Sequence, residues 1–164
     1  MSYLLDANVF IQAKNLHYGF DFCPAFWDWL SAENRAGRVF SIEKVKGELQ
    51  AGNDYLATWA SEQGSEFFLA PDVSTLAALS RVSRWIANQG YHPAAVNAFL
   101  QLADFYIVSQ ALALGYSVVT QETPGDGFKK VKIPNPCIGL GINCLSPFEM
   151  LRREHARFVL APQR

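Results

Sequence analysis

Short apolar runs alternate with longer stretches of helical periodicity along most of the chain. Tyr3-Leu4-Leu5 is uninterrupted and apolar, the pattern of a short buried strand. Residues 38–42 and 117–120 are largely apolar and predict further strands, and residues 66–69 and 142–145 predict two more. Between them, residues 21–36 carry Phe22, Phe26, Trp29 and Leu30 at helical spacing, and Gly37 ends the run. Helices are also expected over 43–50, 54–63, 71–88 and 147–157. A helical region over 94–114 is expected to break near Leu102 and to stop at Gly115. Gln89-Gly90 and Pro124-Gly125-Asp126-Gly127 are turn signals.

Strands alternating with helices imply an α/β layer fold with a mainly parallel sheet. Right-handed crossovers then bring the carboxyl ends of the strands to one edge. A length of 164 residues, half of them hydrophobic, supports one domain over 1–164 with a real core. No repeat or linker interrupts it.

A formal net charge of −1 gives no global attraction for nucleic acid, so phosphate binding would need a local basic patch or a metal. Cys23, Cys137 and Cys144 are odd in number and lack metal-ligand spacing, which predicts reduced thiols. Met1 leads straight into the first strand, and no apolar run approaches the roughly 18 residues of a spanning helix. A cytoplasmic protein without membrane contact is expected.

The chemistry lies in the acids. Asp6 ends the first apolar run and Asn8 follows it. Glu48 comes shortly after the second run, Asp104 opens a helix, and Glu122 closes the fourth strand. One acid at a helix start is ordinarily a cap or dipole partner, worth about 0.5–2 kcal/mol. Four at equivalent strand–helix junctions suggest more, because clustered carboxylates repel one another and a divalent cation relieves the repulsion. Oxygen-only ligands suit Mg²⁺ or Mn²⁺, which can polarise a phosphoryl oxygen and activate water. Hydrolysis of a phosphodiester is the reaction class implied, with Asp6, Glu48 and Asp104 expected to converge on one cation.

Leu5-Asp6-Ala7-Asn8-Val9-Phe10-Ile11 resembles the opening motif of the PIN-domain nucleases. Val45–Leu49, the run from Asp104 to Gly115, and Val118-Val119-Thr120-Gln121-Glu122 follow that family's order and rough spacing over nearly the whole chain. The resemblance implies a three-layer α/β/α sandwich and a Mg²⁺- or Mn²⁺-dependent ribonuclease. Within the family it points to the VapC-like group, toxins silenced by a cognate antitoxin. It implies that Asp6, Glu48 and Asp104 are the principal catalytic and metal-binding acids. Glu122 takes the fourth place, where Asp is more usual, and Asp126 in the same loop is the alternative. Asn8 and Thr120 match the family's supporting polar positions. Glu43 competes with Glu48 but lacks the flanking Val45 and Leu49 at family-like spacing.

Lys46, Lys129 and Lys130 are the expected contacts to RNA phosphates, with Lys44 and Lys132 beside them. The apolar segment over residues 20–30 could pair two subunits in a homodimer or belong to the core. An RNA-processing nuclease without an antitoxin, or a PIN-like binding module without catalysis, are the competing readings. A phosphoaspartyl phosphotransferase would want an acid where the chain has Asn8. A dinucleotide fold would want a glycine-rich turn after the first strand.

Overall fold

The computed structural model describes residues 1–162. Five parallel strands form one sheet: β1 (Tyr3–Leu5), β2 (Val39–Ile42), β3 (Phe68–Leu69), β4 (Ser117–Val119) and β5 (Cys144–Leu145), in the order β3-β2-β1-β4-β5. The first strand is therefore central. Tyr3 pairs with Val39 on one side and with Ser117 on the other. All three of its residues are buried, so both faces of β1 are covered, which is why it reads as solid apolar sequence rather than as alternation.

The chain steps outward from β1 through β2 to β3, then returns across the sheet to β4 and β5. Right-handed crossovers place the helices of the outward steps on one face and those of the return on the other. The first set is α1 (Ala7–Gln12), α2 (Pro24–Arg35), α3 (Glu43–Ala51) and α4 (Tyr55–Glu62). The second is α5 (Val73–Ala87), α6 (Pro93–Leu100), α7 (Ala103–Leu114) and α8 (Pro134–Leu140), and α9 (Pro147–Arg153) closes the chain. The result is the three-layer α/β/α sandwich. Its topological switch point falls between β1 and β4, where the strand order reverses, and in open parallel sheets the ligand crevice opens there.

Aromatic packing fixes the first helical layer to the sheet. Phe10, fully buried on α1, meets Trp59 of α4, Phe67 just before β3 and Phe68 within it at ring distances of 5.7, 6.3 and 6.2 Å. Burying such a ring completely contributes about 1.5–3 kcal/mol. Phe26, Trp27 and Leu30 are buried on α2, so most of the apolar segment over 20–30 is core, while Phe22 remains exposed. Tyr3 donates its hydroxyl to Glu154 at 2.7 Å, tying β1 to the residue that follows α9.

Several element limits differ from expectation, each for a local reason. The strand expected over 66–69 shortens to Phe68–Leu69 because the amides of Phe67 and Phe68 both donate to the carbonyl of Gly64 in a turn. Helix α2 starts at Pro24, a residue suited to a first helical turn. The long helical region divides at residues 101–102, as expected. Helix α8 was not expected, and it contains Pro134 and Pro136. Both occupy its first turn, where the amide needs no helical partner. Helix α1 widens into a π-helical turn at Ala13–His17, closed by the amide of Tyr18 on the carbonyl of Ala13. All three cysteines are free. No helix among the described residues is long and apolar enough to cross a membrane.

Candidate active site

Asp6 is where β1 stops being a strand. Its amide still donates to the carbonyl of Val119, extending the β1–β4 ladder by one step. Its extended backbone then makes it the N-cap of α1, with the side chain accepting from the amide of Ala7 at 2.8 Å. The other carboxylate oxygen, Oδ2, accepts the hydroxyl of Thr120 at 2.9 Å. Asp6 is buried.

Thr120 stands at the equivalent place past β4. Besides donating to Asp6, its Oγ1 accepts from Nδ2 of Asn8 at 3.2 Å and from the amide of Glu122 at 3.1 Å. That satisfies a hydroxyl's full capacity of one donor and two acceptors. Asn8 also accepts the amide of Gln121 at 3.1 Å. Asn8 and Thr120 thus lock the ends of β1 and β4 together and hold Asp6 in one orientation. Ser41 contributes from β2: its buried hydroxyl donates to the carbonyl of Leu5 at 2.6 Å. Sequence reading passed over Ser41, although a serine inside the apolar strand Val39-Phe40-Ser41-Ile42 is the kind of signal that marks such a tie.

Asp104 enters from the opposite face, in the first turn of α7. That helix has no side-chain cap, so the carboxylate complements its positive end. Glu122 turns back on its own loop, where one oxygen accepts the amide of Ile133 at 2.9 Å. Sequence reading offered no signal for that bond.

The acids act on one another. Burial, followed by the charge of Asp104, pushes the Asp6 carboxyl up to about 7, against the opposing hydrogen bonds from Thr120 and Ala7. Burial, followed by the charges of Glu122 and Glu48, pushes Asp104 up to about 6, and the nearby Lys130 opposes this. Glu48 is exposed as a residue, but partial desolvation of its carboxyl raises its pKa. Asp6, Glu48, Asp104 and Glu122 therefore share one electrostatic neighbourhood, at the switch point of the sheet.

The rival acids lie elsewhere. Glu43, in the first turn of α3, lines a cleft with Gly64 and Phe68 on the β3 side. Five residues of helix turn Glu48 well away from it. Asp126 is exposed and lines a cavity beside Trp85 and Tyr91. Of the expected substrate contacts, Lys129 and Lys130 are exposed, and Lys130 is the one whose charge reaches Asp104. Lys46 is engaged differently, donating to the carbonyl of Gln63 at 2.8 Å. Lys44 lies over the ring of Tyr106 at 4.3 Å.

Among the described residues no three His, Cys, Asp or Glu side chains close around a point able to hold a metal ion. The closed set of three acids expected from the sequence is not formed. The donors still fit a hard cation. Mg²⁺ keeps several waters and commonly takes only one or two carboxylates directly. Asp6 and Asp104 are the two most strongly perturbed acids, each raised by other carboxylates, and no lysine or arginine pairs with Asp6 among the described residues.

A family model described as a domain of unknown function, DUF4411, matches residues 3–158. No curated protein matches the chain. Among solved structures, the fold is similar to a chain in the crystal structure of VapBC2 from Rickettsia felis bound to a DNA fragment from their promoter. The TM-score is 0.55 at 15% sequence identity, with 89% of this chain and 98% of the other covered. At that identity the likeness is one of fold.

Proposed function

The chain belongs to the DUF4411 family, and from the acids its fold gathers we propose that it is a metal-dependent endoribonuclease of the PIN type, acting as the toxin half of a toxin–antitoxin pair. The observation that carries the nuclease reading is the placement of Asp6, buried at the end of β1, close enough to the half-buried Asp104 for that charge to raise its carboxyl, with no lysine or arginine paired to Asp6 among the described residues. Folding keeps this arrangement despite its cost, which is the mark of a site with a function.

Asp6 and Asp104 would hold Mg²⁺ or Mn²⁺, with Glu48 and Glu122 acting through water. The chemistry such a cation supplies is Lewis-acid polarisation of the phosphodiester and activation of water. The protein's own groups prepare that chemistry. Thr120 and Asn8 orient Asp6. Glu122, held by the amide of Ile133, fixes the loop that carries Lys129 and Lys130. Lys130 provides positive charge for an RNA phosphate beside Asp104.

The fold likeness to VapBC2 supports placing the chain in a two-protein system. A protein partner that inserts an Arg or Lys among the acids would replace part of the cation's charge and inhibit the enzyme. The test is RNA cleavage by the purified chain with Mn²⁺, with Mg²⁺ and with chelator, beside Asp6→Asn. Metal-dependent cleavage lost in the folded variant is the expected result, and cleavage that survives Asp6→Asn refutes the assignment. Growth arrest on expression alone, relieved by the adjacent reading frame, is the result expected of a toxin. An active nuclease that causes no arrest would instead be an RNA-processing enzyme.

A further inference from the structure

A cavity of about 290 Å³ lies between the end of α5, the turn after it and the loop that follows β4. Trp85, Tyr91 and Phe128 contribute aromatic walls, and Asp126 lies at its lining. Trp85 lies against α8 at Gly139, so close that a Cβ added there would clash with the indole. Tyr91 and Phe128 meet edge to face at 6.2 Å. The loop is built rather than loose. Asn135 accepts the amide of Gly125 at 2.9 Å and donates to its carbonyl at 2.8 Å, and the amide of His92 donates to the carbonyl of Phe128 at 2.9 Å. Asp126 is exposed, and no ion pair among the described residues uses it.

We propose that this cavity is a guanine-binding subsite for single-stranded RNA, an inference that rests on the nuclease reading above. Unstacked bases are held by aromatic surfaces and read on their Watson–Crick edges. The carboxylate of Asp126 presents two acceptor oxygens side by side. Guanine is the base whose Watson–Crick edge offers two adjacent donors, N1–H and the 2-amino group. It would be gripped by two parallel hydrogen bonds, the geometry a carboxylate adopts with a guanidinium. Adenine turns a lone pair toward the same place, and the carboxylate repels it. Position supports the assignment. Lys130 acts on Asp104, and Phe128 is two residues before it. Two residues span at most about 7 Å. A strand whose phosphate rests at Lys130 therefore has a neighbouring base within reach of the cavity.

The test is calorimetric binding of guanosine 5′-monophosphate and adenosine 5′-monophosphate to the full, metal-free chain. The guanosine nucleotide should bind at least about tenfold more tightly. Asp126→Asn should erase that preference, and Gly139→Ala, which forces Trp85 from its place, should weaken both ligands. Equal affinities, a preference that survives Asp126→Asn, or no guanosine binding at millimolar concentration by the folded protein would overturn the subsite. Because binding is read without metal or cleavage, guanosine selectivity in a protein that cuts no RNA would uphold the subsite and remove the nuclease. Cleavage without guanosine binding would do the reverse.

Discussion

The hydroxyl of Thr120 donates to Oδ2 of Asp6 at 2.9 Å, joining the ends of β4 and β1 across 114 residues of sequence. The Oγ1 of Thr120 also accepts from the side-chain amide of Asn8 and from the backbone amide of Glu122, so one hydroxyl connects two strands, a helix start and a loop.

Thr120→Val keeps the shape and removes that atom. The cost should be about 1–3 kcal/mol, because a hydrogen bond to a carboxylate is lost and a side-chain amide and a backbone amide lose their acceptor. Thr120→Ser should restore most of it. Denaturant unfolding measures the loss, and carboxyl NMR should show the Asp6 pKa climbing above its present value. An Asp6 pKa unchanged in Thr120→Val would mean the hydroxyl does not act on it.

Stability of the metal-free protein should fall as pH rises. Asp6 at about 7 and Asp104 at about 6 both lie above the ordinary value of 3.8, so between those limits the folded chain binds more protons than the unfolded one. Their contribution is complete below pH 4 and disappears as pH climbs through 6 and 7. Between pH 5 and pH 8 the unfolding free energy should drop by about 2–4 kcal/mol from these two groups, at 1.36 kcal/mol per pH unit and allowing for partial solvent screening of Asp104. Mn²⁺ should return stability at pH 8. Asp6→Asn should flatten the pH dependence and weaken the response to Mn²⁺. A flat profile in the wild type would refute the electrostatic account of the site.

Two lysines that look alike in sequence should behave differently. Lys130→Ala should weaken RNA binding severalfold and lower the salt slope by about one, with stability changed by no more than about 0.5 kcal/mol. Lys46→Ala should instead reduce stability, because it leaves the carbonyl of Gln63 without this donor. Salt titrations of binding beside thermal melts separate the two, and a matching loss of salt slope in both variants would contradict the structural role of Lys46.

Glu122→Gln retains an acceptor for the amide of Ile133, whereas Glu122→Ala does not. Hydrogen exchange at Ile133 should quicken in the alanine variant and stay slow in the glutamine variant. Cleavage should drop moderately with glutamine if Glu122 works through water. A loss as deep as that of Asp6→Asn would indicate direct ligation.

The strands around the site were legible because β1 and β4 are buried along their whole length, which leaves the apolar runs Tyr3-Leu4-Leu5 and Val118-Val119. Asp6 and Asp104 were legible as acids at element boundaries. The sheet order was not, since nothing in Tyr3-Leu4-Leu5 announces that its two neighbours are Val39 and Ser117. Helix α8 was hidden by prolines whose meaning depends on their position in the first turn. The contrast between Glu122 and Asp126 was also hidden. Four residues apart on one loop, they part company only through a backbone amide eleven residues downstream and a tryptophan on another helix.

The central place of β1 sets an order on synthesis. The first strand finds β2 within about forty residues of chain, but its other flank stays bare until β4 appears. Throughout that interval Asp6 has neither Thr120 beside it nor Asp104 opposite until the chain reaches those positions. A chain released early thus carries the first acid and an open sheet edge, without the assembled cluster. Whatever the assembled site does, a half-made copy cannot yet do it.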